Sequence, residues 1–326
     1  MLSGLFRSMK LSSWVYFYVV AISLLASMFF LPYSGSLMSG SPLLIVIFGK
    51  ITNALIQRLI LLTCLFVLAH VSNKLVFRFK LSGTSSVFPA LMLMLSGVLL
   101  LSQWQWDPVL IGSAMIAMTS TRLFAIKQQG PATGHIFNTG IFISIASMIY
   151  FPFIVFLLIA WFTMILWGRM TLREWLISVS AFAMPYVLMF SWLFWTNQLT
   201  WSLIEHFNFT INWISLHNLT TEQIIRMVVW AGLLLISLFA FVLHAGRKSI
   251  ETRSNYTTIL WILFIGIFLS VSMPGHFMAF AWLTAFAGSI FIADFLISLP
   301  GRISTLVFIL IYFLALSGQY LSFVVK

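Results

Sequence analysis

The chain has 326 residues, of which 61% are hydrophobic and 7% charged, and its mean hydropathy is +1.08. Soluble domains carry about 45–50% apolar and about 25% charged residues. A water-soluble fold is therefore excluded, and the sequence reads as an all-α, polytopic integral membrane helix bundle in one domain, residues 1–326. The formal charge of +11 is scattered over short stretches between apolar runs; that excludes a nucleic-acid footprint, which would cluster on one element, and answers to anionic membrane lipids.

Met1–Lys10 is basic and precedes an apolar run too long for a signal-peptide core, so a retained first span is expected. Eleven segments approach the ~20 apolar residues that cross a bilayer. They are Ser13–Leu31, Arg58–Phe77, Ser85–Gln103, Pro108–Phe124, Ile136–Tyr150, Phe153–Trp167, Glu174–Trp195, Ile225–His244, Tyr256–Met273, Phe277–Leu296 and Ile303–Val324. The fifth and sixth meet at Tyr150-Phe151-Pro152, as a tight hairpin or as one long kinked helix. Charge favours the hairpin. With the N-terminus inside and the C-terminus outside, Arg7, Lys10, Lys74, Arg78, Lys80, Arg122, Lys127, Arg169, Arg173, Arg247, Lys248, Arg253 and Arg302 fall inside. Lys50, Arg58, Arg226 and Lys326 fall outside, so thirteen of the 17 bases obey the positive-inside rule. Merging the two spans would move Arg247, Lys248 and Arg253 outside. The expected location is a bacterial cytoplasmic (inner) membrane.

Two stretches on the outer side interrupt the spans. Running the second span back to Pro42 would make a helix longer than about 50 Å at ~1.5 Å per residue, so residues 41–57 break near Gly49 into an outer interfacial or re-entrant helix with Lys50, Asn53 and Gln57 on one face. Residues 196–223 carry Trp201, Ile204, Phe207, Ile211 and Ile214 at three- and four-residue spacing, the mark of an interfacial helix. The alternation of Phe207, Phe209, Ile211 and Trp213 fits a short strand equally. Thr220 with Gln223 forms a capping box for the eighth span. Trp201, Phe207 and Trp213 are the candidate partner-binding residues. Between the third and fourth spans, Asp107 reads as an N-cap and Pro108 as the first helical residue, with Trp104 and Trp106 in the interfacial belt.

Six carboxylates can be taken singly. Glu174 complements a helix start, Glu251 is solvated within a basic run, and Asp294 is expected to pair with Arg302. Glu222 serves the start of the eighth span. Glu205, beside His206, and Asp107 are the candidate catalytic acids of the outer face. Outer Arg58, Arg226 and Lys50 are candidates for a phosphate or lipid headgroup, Arg through bidentate donors; snorkelling to the interface is the bland alternative. The six histidines show no HxxxH or HExxH spacing, so no metal or other cofactor is expected. The lone Cys64 excludes disulfides within the chain. Span centres nearly empty of ionisable residues argue against ion-coupled transport. Gly134, Gly140, Ala146 and Ser147 read as small residues that admit close helix approach.

Residues 122–186 are the most specific stretch. They contain IFN-x-G, the IASxxYFP turn, and REW leading into a span with Pro-Tyr. On these features the chain resembles an uncharacterised family of multi-pass membrane proteins from Bacteroidota. The paired short spans around ASxxYFP also resemble, more distantly, the middle of GT-C-type glycosyltransferases, which use polyprenyl-phosphate sugars at the outer face. That resemblance implies a catalytic acid in the first external loop. Residues 33–41 hold none, so either the role passes to Glu205 or Asp107, with a polyprenyl-phosphate carrier held by the outer arginines, or the chain is a non-catalytic relative. Three functions follow, in order: a non-enzymatic subunit of an envelope assembly for secretion or glycan and lipid export, with other membrane or envelope proteins as partners; GT-C-like handling of lipid-linked sugars; and a lipid or small-amphiphile transporter.

Overall fold

The computed structural model describes residues 11–30, 34–35, 53–82, 86–101, 105–126, 132–169, 171–197, 199, 206–207 and 221–324. Among these, eleven helices of at least twelve residues follow one another: α1 (Leu11–Leu25), α2 (Ala54–Arg78), α3 (Phe88–Leu100), α4 (Val109–Ala125), α5 (Thr133–Ile149), α6 (Val155–Leu166), α7 (Leu172–Trp195), α8 (Thr221–His244), α9 (Ile250–Ser272), α10 (Phe277–Ser298) and α11 (Gly301–Val324). A short turn of helix, Ser27–Phe30, continues α1. The extended exceptions are two residues long: β1 (Ser34–Gly35) pairs in parallel with β2 (Gln105–Trp106). Five helices (α2, α7, α8, α9 and α10) are long and apolar enough, by length and composition, to cross a membrane.

Sequence explains the layering. Helices apolar all round go inside. Every residue of α3 is buried, as is 83% of the apolar window of α10. These two form the centre, packed so closely that Trp282 lies over Gly97. Around them stand α1, α2, α4, α8, α9 and α11, while α5 and α7 stack outward beyond α4. Gly140 admits the α5–α7 approach: a Cβ there would lie 2.7 Å from Ala181 Cβ and 2.9 Å from the Ser178 carbonyl. Gly134, expected to act likewise, faces open space. Only 17% of the apolar windows of α7 and α8 is buried, leaving Val187, Leu188, Trp192, Leu235, Phe239 and Val242 exposed. In α1 and α11, Ser23 Oγ meets Tyr312 Oη at 3.0 Å, and Ser27 Oγ donates to Gln319 Oε1 at 3.2 Å.

Side-chain contacts sort the helix ends into two sets. At the first end lie Leu101, Asp107, Tyr150, His206, Arg226, Met273 and His276. At the second lie Phe79, Leu81, Phe124, Trp167, Lys248, Ser254, Tyr256 and Asp294. The α5–α6 alternative is settled by this sorting. Tyr150 breaks the helix in an extended conformation (φ −150°, ψ 115°) before a 3₁₀ turn through Pro152. It contacts His276 at the first end. Trp167, closing α6, meets Phe124 at 6.3 Å and donates to Ser254 Oγ at 2.6 Å at the second end. The pair is a hairpin.

Three expectations change. Asp294 pairs with Lys248 at 2.5 Å, not with Arg302, because Lys248 also donates toward Tyr256 Oη and the Leu81 carbonyl beside it. Ala54–Gln57 belong to α2 itself, capped by Asn53, whose side chain accepts from the Leu55 N–H at 2.9 Å. Thr221–Gln223 open α8. Glu174 does more than complement a dipole: with Thr171 it makes a full capping box.

Candidate functional site

The first end holds the described polar constellation with the most chemical capacity. Asp107 is there because it caps α4: its Oδ1 accepts the Val109 N–H at 3.0 Å, satisfying an N–H that the helix leaves orphaned. The same oxygen lies 3.1 Å from His276 Nδ1. His276 is delivered by the Pro274–His276 turn that joins α9 to α10. Both side chains are under a tenth exposed. Tyr150 covers them, its ring centroid 4.6 Å from that of His276, with its hydroxyl on Met273 Sδ at 3.2 Å.

A carboxylate only accepts, so His276 Nδ1 carries the proton of that bond. Asp107 Oδ2 and His276 Nε2 are both buried without a hydrogen-bond partner among the described residues. A carboxylate that fixes an imidazole is an arrangement able to support proton transfer.

A second relay runs alongside. Tyr186 Oη donates to Ser147 Oγ at 2.9 Å, and Ser147 Oγ donates to the Ser144 carbonyl at 2.8 Å. With its proton so used, Tyr186 accepts from His206 Nε2, 3.2 Å away. His206 Nδ1 is then the bare nitrogen, buried and without a hydrogen-bond partner among the described residues. Burial pushes the imidazole down to about 4, keeping it neutral near pH 7. Phe207 next to it sits edge-on to Phe151, centroids 4.9 Å apart, and stays half exposed.

Other sequence candidates land apart from this pair. Arg226 is buried, 3% exposed, and donates from Nη1 to the Leu101 carbonyl at 2.9 Å, with Glu222 3.9 Å from Nε. Leu101 closes α3 in an extended conformation, so the guanidinium satisfies a helix-end carbonyl. Arg58 Nη1 reaches the Phe29 carbonyl at 3.4 Å. Lys50, Trp201, Glu205 and Trp213 lie outside the described residues. His276 and Tyr150 escaped the sequence reading. Both stand at Pro-containing breaks on the same side as Asp107, the one signal that would have grouped them. Among the described residues, no three His, Cys, Asp or Glu side chains gather as a metal site would need. No family model, curated protein or solved structure matches this chain.

Proposed function

We propose that the chain is an eleven-span protein of a bacterial cytoplasmic membrane, N-terminus inside and C-terminus outside, acting as a non-enzymatic subunit of an envelope assembly for secretion or for glycan or lipid export. The likeness over residues 122–186 adds a Bacteroidota source to this proposal. Membrane residence is supported by the exposed apolar faces of α7 and α8, which hydrocarbon covers and water does not. Orientation is supported by the bases, which crowd toward the second end, the inner one in this reading.

One observation carries the subunit reading. His206 is locked onto Tyr186 and buried, while adjacent Phe207 is pinned by Phe151 with its other face exposed. An aromatic ring held rigid at the outer end, on a segment outside the spans, is an anchor for another protein. Native mass spectrometry of the protein drawn from its own membranes tests this. A stoichiometric partner is expected with the wild type and absent with Phe207→Glu at unchanged melting temperature. A solitary wild-type chain, or a partner indifferent to Phe207→Glu, overturns it.

The Asp107–His276 pair favours a second reading, transfer from a polyprenyl-phosphate-linked sugar. His276 Nε2 would take the proton of an acceptor hydroxyl, Asp107 would hold the imidazole, and Lys50 and Arg58 would meet the carrier phosphate. General-base catalysis contributes roughly 10²–10⁴-fold. Loss of that order in glycan transfer on His276→Gln, at unchanged expression, would favour this reading; unchanged transfer rejects it.

A further inference from the structure

The second end carries a cavity that none of the foregoing uses. It has a volume of about 550 Å³ and lies among α1, α2, α4 and α5. On α2, Val67, His70, Val71 and Lys74 share one face by their three- and four-residue spacing, and on α4 Met118, Thr121 and Arg122 do. Its chemistry is divided. Tyr18, Phe66, Val67, Met118 and Phe142 make an apolar wall, while His70, Lys74 and Arg122 supply nitrogen donors toward the helix ends.

Among the described residues, no carboxylate lines the cavity and none pairs with Lys74 or Arg122. Lys248, at the same end, shows the contrast, because Asp294 neutralises it. Two cations left without a counterion within one turn of their helix ends, above an apolar groove, lack an anion that brings its own apolar tail.

The geometry points to an anionic phospholipid site, with the headgroup phosphate on Lys74 and Arg122 and an acyl chain along Phe66, Val67 and Phe142. Arg122 offers a planar fork to two phosphate oxygens and Lys74 a point charge. Basic pockets between membrane helices on the inner side take such headgroups. The inference rests on the membrane reading above, and on neither function proposed there.

The test uses the full chain in nanodiscs, with phosphatidylglycerol against phosphatidylcholine, and native mass spectrometry of the lipid retained after release into detergent. Phosphatidylglycerol is expected to be retained over phosphatidylcholine. Lys74→Gln or Arg122→Gln should weaken that retention roughly fivefold each, and the double variant about thirtyfold. Arg302→Gln, a cation of the same end that does not line the cavity, should leave it unchanged. Val67→Trp, filling the apolar wall, should weaken retention while both cations remain. Equal retention of the two lipids, or equal loss in Arg302→Gln, overturns the site. Inorganic phosphate competing as well as phosphatidylglycerol would replace the lipid with a soluble anion and overturn the proposal too. Should the double variant fail to fold, exposed Lys74→Gln carries the test alone. Failure of the wild-type chain to enter nanodiscs would instead sink the membrane reading.

Discussion

Gly97→Ala tests the central packing directly. Gly97 lies in α3, buried along its whole length, and an ideal Cβ there would sit 2.0 Å from Cζ3 and 2.3 Å from Cε3 of Trp282. Trp282 is 0% exposed, so its ring has nowhere to swing and the helices must part. Overpacking of this kind costs about 1–3 kcal/mol, and overlap with several ring atoms places it at the upper end. Alanine's better helix propensity returns about 1 kcal/mol. A net loss of about 2 kcal/mol remains, or roughly 4–8 °C in melting temperature on the scale of larger domains. Gly134→Ala is the internal control: no heavy atom lies within 4 Å of its Cβ position, so propensity alone acts and stability rises by up to about 1 kcal/mol. Thermal unfolding in mild detergent, followed by far-UV circular dichroism, reads both. The two substitutions must move in opposite directions. Trp282→Leu should relieve the Gly97→Ala penalty, so the double variant costs less than the sum. A Gly97→Ala protein melting at or above wild type would refute the close α3–α10 contact.

Removing one partner of Lys248–Asp294, whose side chains are 18% and 20% exposed, should cost about 1–3 kcal/mol in denaturant unfolding; Lys248→Met with Asp294→Leu should recover most of it, and additive losses would show the pair is not coupled. His206 gives a pH dependence of definite sign. Its folded-state value of about 4 lies below the unfolded ~6.5, so the unfolded chain binds the extra proton and stability falls as pH drops from about 6.5 toward 4. The slope reaches at most about 1.4 kcal/mol per pH unit. His206→Phe should flatten the melting-temperature profile over that range, and an unchanged slope would place the titrating group elsewhere. Thr171→Ala removes the hydroxyl that accepts the Glu174 N–H at 3.3 Å and should cost about 1 kcal/mol, read as faster amide exchange in the first turn of α7; unchanged exchange there would deny the capping box.

Periodicity and hydropathy made the helices legible, since all eleven apolar segments correspond to helices whose ends differ by a few residues. The cause is physical: an apolar run of that length has one good way to satisfy its own backbone. The α5–α6 hairpin was legible as well, because charge placement favoured it and Pro152 supplied the break. That α3 lies inside was legible from its uncharged, all-round apolar run; which helix it packs against was not. No charged residue interrupts α3, while α8 carries Glu222 and Arg226, but the close approach of α3 to α10 rests on Gly97 meeting Trp282, a contact between residues 185 positions apart. The same holds for chemistry. Asp107 was legible as a cap, but its second role depends on His276, brought from 169 positions away, and one chain of residue types holds no record of such pairs. Asp294 shows the limit well. Sequence proximity offered Arg302, while the fold offered Lys248, with Tyr256 Oη and the Leu81 carbonyl already in place.

The two ends of the bundle treat charge differently, and that difference bears on where a ligand binds. At the first end, charged groups already serve the fold: Asp107 caps α4 and holds His276, and Arg226 satisfies the Leu101 carbonyl. A ligand that recruited Arg226 would first have to break a buried hydrogen bond, leaving an orphaned carbonyl at a cost of about 1–3 kcal/mol. At the second end, Lys74 and Arg122 border an open cavity that no carboxylate lines among the described residues, so an anion there gains attraction without displacing a structural bond. Anion affinity should therefore be concentrated at the second end, although the sequence drew attention to the arginines of the first. Among the described residues, Asp107 Oδ2, His276 Nε2 and His206 Nδ1 are buried there without a hydrogen-bond partner, so a ligand at the first end would be met by these hydrogen-bonding atoms rather than by the committed charge of Arg226.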